Sequence, residues 1–359
     1  MNSSANLNIK TDELNTRDNI KPGRLYDVVF IRAFAIVLVV AFHAYAKLYA
    51  DHFLDMKAVY HDMYFNTNQL ALKFRMPLFI FISGYLFSYL ESVKGKYATF
   101  SGLLKNKFQR LIIPYFIFAI IYMLTTRSFN FDKLLSGDFT HLWFITMLFW
   151  CFIFTRLSSL VPYSKCIYYK VTMLFLSFAL LFVPSFLPSI IGLSNSTLWF
   201  FWFYLGYFVL PYREQLYELI DKKYRWAILL VIGLLGTAYT VYYVKTDIVR
   251  TLGGQLGHLA IVLLVWYAVN RLIRNHPGKW LEGKFFKELN RTSYGIYVLH
   301  NWLQLFMISG TAKHIFHLNE IAQNHTVLFP LSFFLLSLLF SYIGSVMILK
   351  TKVGRFLIG

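Results

Sequence analysis

Arg32 and His43 stand eleven residues apart within the apolar run IRAFAIVLVVAFHAYAK, Ile31 to Lys47. On an α-helix, eleven steps of 100° return to the same face within about 20°, about 16–17 Å further along the axis. One helix face therefore carries a fixed cation near one end and a titratable imidazole near the other. An ionisable side chain inside a long apolar segment is costly and marks a functional site by default. Taken singly, Arg32 could snorkel to headgroups and His43 could be a hydrogen-bonded packing residue. Their common face favours a shared role.

Three further stretches supply polar groups in apolar surroundings. LKFRMPLFIFISGYL brings Lys73 and Arg75, then Ser83 and Gly84 deeper in the same segment. Pro77 can kink that helix, and Gly84 permits close helix approach. HLWFI sets His141 and Trp143 at the level of His43; alone, Trp143 reads as an interfacial aromatic anchor. His258 and His300 fall in later apolar segments with no local sign of a role. The seventeen acidic residues lie in tails, loops or segment margins, Asp27 being the nearest to a segment interior. Cations in oil without acids beside them call for another anion, and a bound anionic ligand answers that need. The same absence speaks against a proton-coupled carrier, which places Asp or Glu at mid-membrane.

Other motifs are scarce. There is no Gly-x-Ser-x-Gly elbow, Walker loop or Gly-x-Gly-x-x-Gly. His314, His317 and Glu320 in HIFHLNE lack the helical His-Glu-x-x-His spacing, so no metal site is expected. GGQLGH at 253–258 reads as a helix-packing stretch. Cys151 and Cys166 have no partner in an oxidising loop, and no disulfide is expected.

The elements that hold these residues follow from composition. The chain has 359 residues, 57% hydrophobic and only 14% charged, against about 25% charged in soluble domains. Apolar runs recur throughout, and about 20 such residues span a bilayer. The expected fold is all-α, a polytopic membrane bundle of about ten transmembrane helices near 26–47, 70–90, 111–127, 141–157, 167–184, 197–212, 226–244, 252–273, 292–310 and 326–349. The net charge of +18 needs no nucleic acid to explain it. Alternating loops divide the lysines and arginines 25 to 7, with three more inside spans, and the richer side is the cytoplasmic one. Both termini are thus expected in the cytoplasm. The expected organisation is a cytoplasmic tail at 1–25, one membrane domain at 26–350 and a second cytoplasmic tail at 351–359. The polar start reads as a tail and not as a cleaved signal.

Several stretches together resemble the multi-pass membrane acyltransferases of acyltransferase family 3, which acylate carbohydrates at bacterial surfaces. They are the Arg32–His43 pair, MPLFIFISGYL at 76–86, KFQRLIIPY at 107–115, HLWFI at 141–145, FFWFYLGYFVL at 200–210 and SYGIYVLH at 293–300. The resemblance runs in order over nearly the whole chain. One departure is Lys107, paired with Arg110 where many relatives carry two arginines; lysine keeps the charge but loses the bidentate fork.

The resemblance implies an O-acyltransferase of the bacterial inner membrane. Its donor substrate is a cytoplasmic acyl-CoA, acetyl-CoA foremost, and its acceptor an extracytoplasmic sugar hydroxyl. No bound cofactor is implied, and membrane lipid is the surrounding partner. Lys107 and Arg110 are then expected to hold the donor's phosphates, with Arg75 a further donor contact and Arg32 deeper on the same path. His43 is a suitable general base for a hydroxyl, or a nucleophile that carries the acyl group. Ser83, His141 and Trp143 are expected to line the acceptor region or cavity. Export of a polysaccharide or lipid-linked sugar without acyl transfer is the alternative function. The sequence leaves open the acyl group (acetyl or succinyl), the sugar and the oligomeric state.

Overall fold

The computed structural model of the protein describes residues 25–50, 58–183, 187–242, 248–276, 278–307 and 315–359. The described residues are helical, with no strand among them. Each of the ten segments expected from the apolar runs is helical where it is described, among the following helices. They are α1 (Tyr26–Ala50), α2 (Ala58–Ser92), α3 (Phe100–Lys107) running through a π-helical turn at Phe108–Ile112 into α4 (Ile113–Thr126), and a short α5 (Phe131–Ser136). Then follow α6 (Trp143–Ser159), α7 (Ile167–Ala179), α8 (Leu193–Val209), α9 (Arg213–Asp221), α10 (Arg225–Tyr242) and α11 (Ile248–Asn275). The chain continues with α12 (Lys284–Met307), α13 (Leu318–Asn324), α14 (Leu328–Leu349) and α15 (Lys352–Ile358).

Among the described residues, five stretches are long and apolar enough to cross a membrane: Tyr26–Ala46, Phe100–Thr126, Phe131–Ser159, Thr251–Asn275 and Leu328–Leu349. This is fewer than the ten spans expected. Leu193–Val209 is only 17 residues long, and Lys284–Met307 begins with a charged turn holding Lys284, Lys287 and Glu288. The stretch expected as a tail at 351–359 is described. Its residues form α15, which packs on α4, the π turn and α12. The N-terminal tail expected at 1–25 lies outside the described residues except for Leu25.

Two contacts fix the core. Asn290 donates to the Val29 carbonyl at 3.0 Å, and Gln304 donates to the Val40 carbonyl at 3.1 Å and to Ser337 Oγ at 2.9 Å. These bonds tie α12 alongside α1 in the same direction and bind both to α14. The other contact is a pair of glycines between α2 and α8. A Cβ on Gly84 would lie 1.9 Å from the Phe203 carbonyl oxygen, and one on Gly206 would lie 1.9 Å from that of Phe81. The two backbones therefore touch, as lipid-embedded helices do where small residues allow it. Gly236 and Gly257 make the same kind of contact between α10 and α11, where a Cβ on Gly257 would meet the Gly236 Cα at 2.9 Å. The stretch at 253–258 thus serves packing, as its sequence suggests.

Gly84→Val is expected to force α2 and α8 apart and destabilise the protein by about 1–3 kcal/mol or more. Gly344→Ala meets only the end of the Leu299 side chain, at 3.1 Å, and should be near neutral. Thermal midpoints of detergent-solubilised protein measure the difference; equal midpoints would remove the glycine contact from the packing of the core.

Candidate active site

Two connected cavities open at one end of the bundle. The larger, of about 690 Å³, is bounded by Arg32, Lys96, Tyr97, Thr99, Lys107 and Arg110. The other, of about 470 Å³, shares Arg32, Lys107 and Arg110, is bordered by Arg291 and extends inward past Ser83 and Leu148. Five cationic side chains border this space, and no described residue lining it is acidic.

Each cation has a local reason for its place. The π-helical turn at Phe108–Ile112 shifts the face that follows α3 and sets Arg110 at the cavity mouth; π-helical turns recur at functional sites. Arg110 Nη1 donates to the Gly359 carbonyl at 2.6 Å, so the segment at Phe356–Gly359 forms one wall. Lys107 lies between rings, with its Nζ 3.5 Å from the Phe152 centroid and 5.0 Å from that of Tyr97. Aromatic faces attract an ammonium without neutralising it. Arg291 is paired with Glu288 at 2.5 Å. Ser83 donates back to the Phe79 carbonyl at 2.9 Å and lines the inner cavity.

The inner end of the cavity is closed by rings. Phe79 packs on Phe144 at 5.2 Å and on Tyr297 at 6.5 Å, and Phe144 packs on Tyr297 at 5.5 Å. On the far side of this aromatic floor stand three histidines. The ring centroids of His43 and His300 are 5.1 Å apart, those of His141 and His300 5.1 Å, and those of His43 and His141 6.2 Å. Tyr297 joins the two regions: its ring contacts His141 and His300 at 5.6 and 6.0 Å, and its hydroxyl donates to the His141 carbonyl.

The partners assign two tautomers. His141 Nε2 faces the Val298 carbonyl at 3.1 Å and so carries the proton; its Nδ1 accepts from the Asn301 amide at 2.9 Å. His141 is thereby held as a neutral ring. His300 Nδ1 faces the Ile296 carbonyl at 3.1 Å, which places the proton on Nδ1 and the lone pair on Nε2. His43 is half-buried between these two rings.

Most of the residues singled out from sequence converge here. Arg32, Ser83, Lys107 and Arg110 share the cationic cavity, while His43 and His141 share the histidine group. Arg75 does not border the cavity. It lies against the Phe42 ring, with Cζ 3.5 Å from the centroid. Trp143 turns away from the histidines to stack on Trp199 at 5.5 Å. His300 joins the site, whereas His258 lies on α11 outside it. The Lys73 side chain and His314 are outside the described residues. Asp27, expected at a margin, is 6% exposed and buried at the first turn of α1. A family profile described as an acyltransferase domain matches residues 25–349.

The chain belongs to acyltransferase family 3. It matches no curated protein and no solved structure. As a member of this family it is a membrane acyltransferase.

Arg110→Ala should weaken apparent affinity for an acyl-CoA by about ten- to a hundredfold. A charge-assisted contact contributes about 1.5–3 kcal/mol, and 1.4 kcal/mol is tenfold. The maximal rate should stay within a few-fold. A lowered maximal rate with unchanged affinity would take Arg110 out of donor binding.

Proposed function

We propose that this protein is an integral membrane O-acyltransferase that moves an acyl group from cytoplasmic acyl-CoA to a hydroxyl of a cell-surface or exopolysaccharide sugar. The observation that carries this reading is the pairing of a cationic cavity, with no Asp or Glu among the described residues lining it, with a histidine group across one aromatic floor. A coenzyme A donor brings phosphates, which suit Arg110 and Lys107, with Arg291 and Lys96 at the rim. Its pantetheine arm suits the apolar walls at Leu86, Leu111, Ile145 and Leu148. The thioester then reaches the floor at Phe79, Phe144 and Tyr297, about one Arg32–His43 separation from the mouth.

The reaction is a simple exchange at the acyl carbon. His43 takes the proton of the sugar hydroxyl as its oxygen bonds to the carbonyl carbon; the carbon–sulfur bond breaks, and the thiolate leaves with the proton that His43 held. If His43 instead attacks first, an acyl-histidine forms and the same hydroxyl resolves it. The charge division across alternating loops supports placing the Arg110 end in the cytoplasm, with both termini, and the His43 end outside. The bacterial inner membrane is the location that fits this sidedness.

Losing a general base costs about 10²–10⁴-fold in rate. His43→Gln should therefore abolish detectable transfer of label from acyl-CoA to glycan in membranes that contain normal amounts of the protein. Near-normal transfer by this variant would return His43 to a packing role.

A further inference from the structure

Arg75 is a buried cation that the scheme above does not use. It is 3% exposed, and among the described residues its Nε and Nη1 have no hydrogen-bond partner. None of the described ion pairs includes it. Its one close neighbour of note is the Phe42 ring, 3.5 Å from Cζ. A ring face attracts a guanidinium, but it offers no oxygen to the N–H groups, and a buried charge left without acceptors is strongly disfavoured. The side chain is built for an anion that comes and goes.

Its position selects which anion. Ser83 lines the donor cavity, and Arg75 lies eight residues nearer the start of α2, about 12 Å along the axis. Phe79, midway between them, belongs to the aromatic floor. Arg75 is thus on the histidine side of the floor, beyond reach of the donor's phosphates at Lys107 and Arg110. It touches the ring next to His43 in sequence, and the Phe42 and His43 rings are themselves 5.1 Å apart. The Tyr297 hydroxyl bonds the His141 carbonyl on this same side.

We infer that Arg75 is a catalytic residue that stabilises the oxyanion formed on the acyl carbonyl during transfer. This rests on the acyltransferase reading and adds a group to it. As the sugar oxygen bonds to the acyl carbon, the carbonyl π pair moves onto its oxygen, and the hydroxyl proton passes to His43. The Arg75 N–H groups bond that oxyanion. When the intermediate collapses, the π bond re-forms, the carbon–sulfur bond breaks, and the thiolate takes the proton from His43. The guanidinium is already desolvated and held against Phe42, so it does not reorganise as the charge develops, which is what makes such a donor effective.

The test compares wild type with Arg75→Gln, Arg75→Met, Arg75→Lys and His43→Gln in membrane vesicles. Initial rates are measured against labelled acetyl-CoA and, separately, labelled succinyl-CoA, reading label in the surface-glycan fraction and normalising to inserted protein. Arg75→Gln should lower kcat by about 10²–10³-fold with both donors and leave the KM for acyl-CoA within about threefold. Arg75→Met keeps an apolar stem over Phe42 and should be as slow, whereas Arg75→Lys keeps a cation and should recover a measurable part. A tenfold rise in KM at unchanged kcat would make Arg75 a donor anchor and overturn the inference. A loss confined to succinyl-CoA would make it a reader of the acyl carboxylate and also overturn it. Wild-type rates with Arg75→Met, beside an inactive His43→Gln, would refute the Arg75 role and leave the acyltransferase reading standing. No transfer by wild type would remove both.

Discussion

A cation surrounded by hydrocarbon must find an anion, and this constraint organises the bundle. The described residues lining the cationic cavity bring Arg32, Lys107 and Arg110 together with no Asp or Glu among them. Lys107 is held by ring faces, which attract its ammonium without neutralising it, and Arg110 bonds the backbone oxygen of Gly359. Salt bridges do form elsewhere, as between Arg156 and Glu91 at 2.5 Å, so the chain can pair its charges where it has no ligand to wait for.

Position then depends on a few backbone contacts. The bonds from Asn290 and Gln304 to α1 fix the register between α1 and α12, and with it the meeting of His43 and His300. The reciprocal glycine contact between α2 and α8 fixes the depth of α2, and so the depth of both Ser83 and Phe79. Tyr297 ties the floor to the histidine group through the His141 carbonyl. A shift of any one of these helices would move the cavity relative to the imidazoles.

Much of this was legible in sequence, and the division between what was and was not has a physical basis. Helical periodicity is local, so the common face of Arg32 and His43 and the ten helical segments could be read from spacing and apolarity. Gly84 and the glycines at 253–257 announced close packing because they stand in runs where any larger residue would serve equally well as oil. The meeting of His300 with His43 depends on two helices more than 250 residues apart and left no local sign. The π turn that aims Arg110 depends on backbone hydrogen bonding, not on composition. The role of Phe356–Gly359 as a cavity wall was hidden for the same reason, since a short basic end reads as a tail. The stacking of Trp143 on Trp199 likewise joins two helices distant in sequence.

The central claim is that donor and acceptor meet across the aromatic floor from opposite faces of the membrane. Sealed vesicles of known orientation test it directly, with labelled acyl-CoA confined to one side and a membrane-impermeant glycan acceptor confined to the other. Label should reach the glycan only when acyl-CoA faces the Arg110 end and the glycan faces the His43 end. Equal transfer with both reactants on the same side, or transfer with the sides exchanged, would contradict the account.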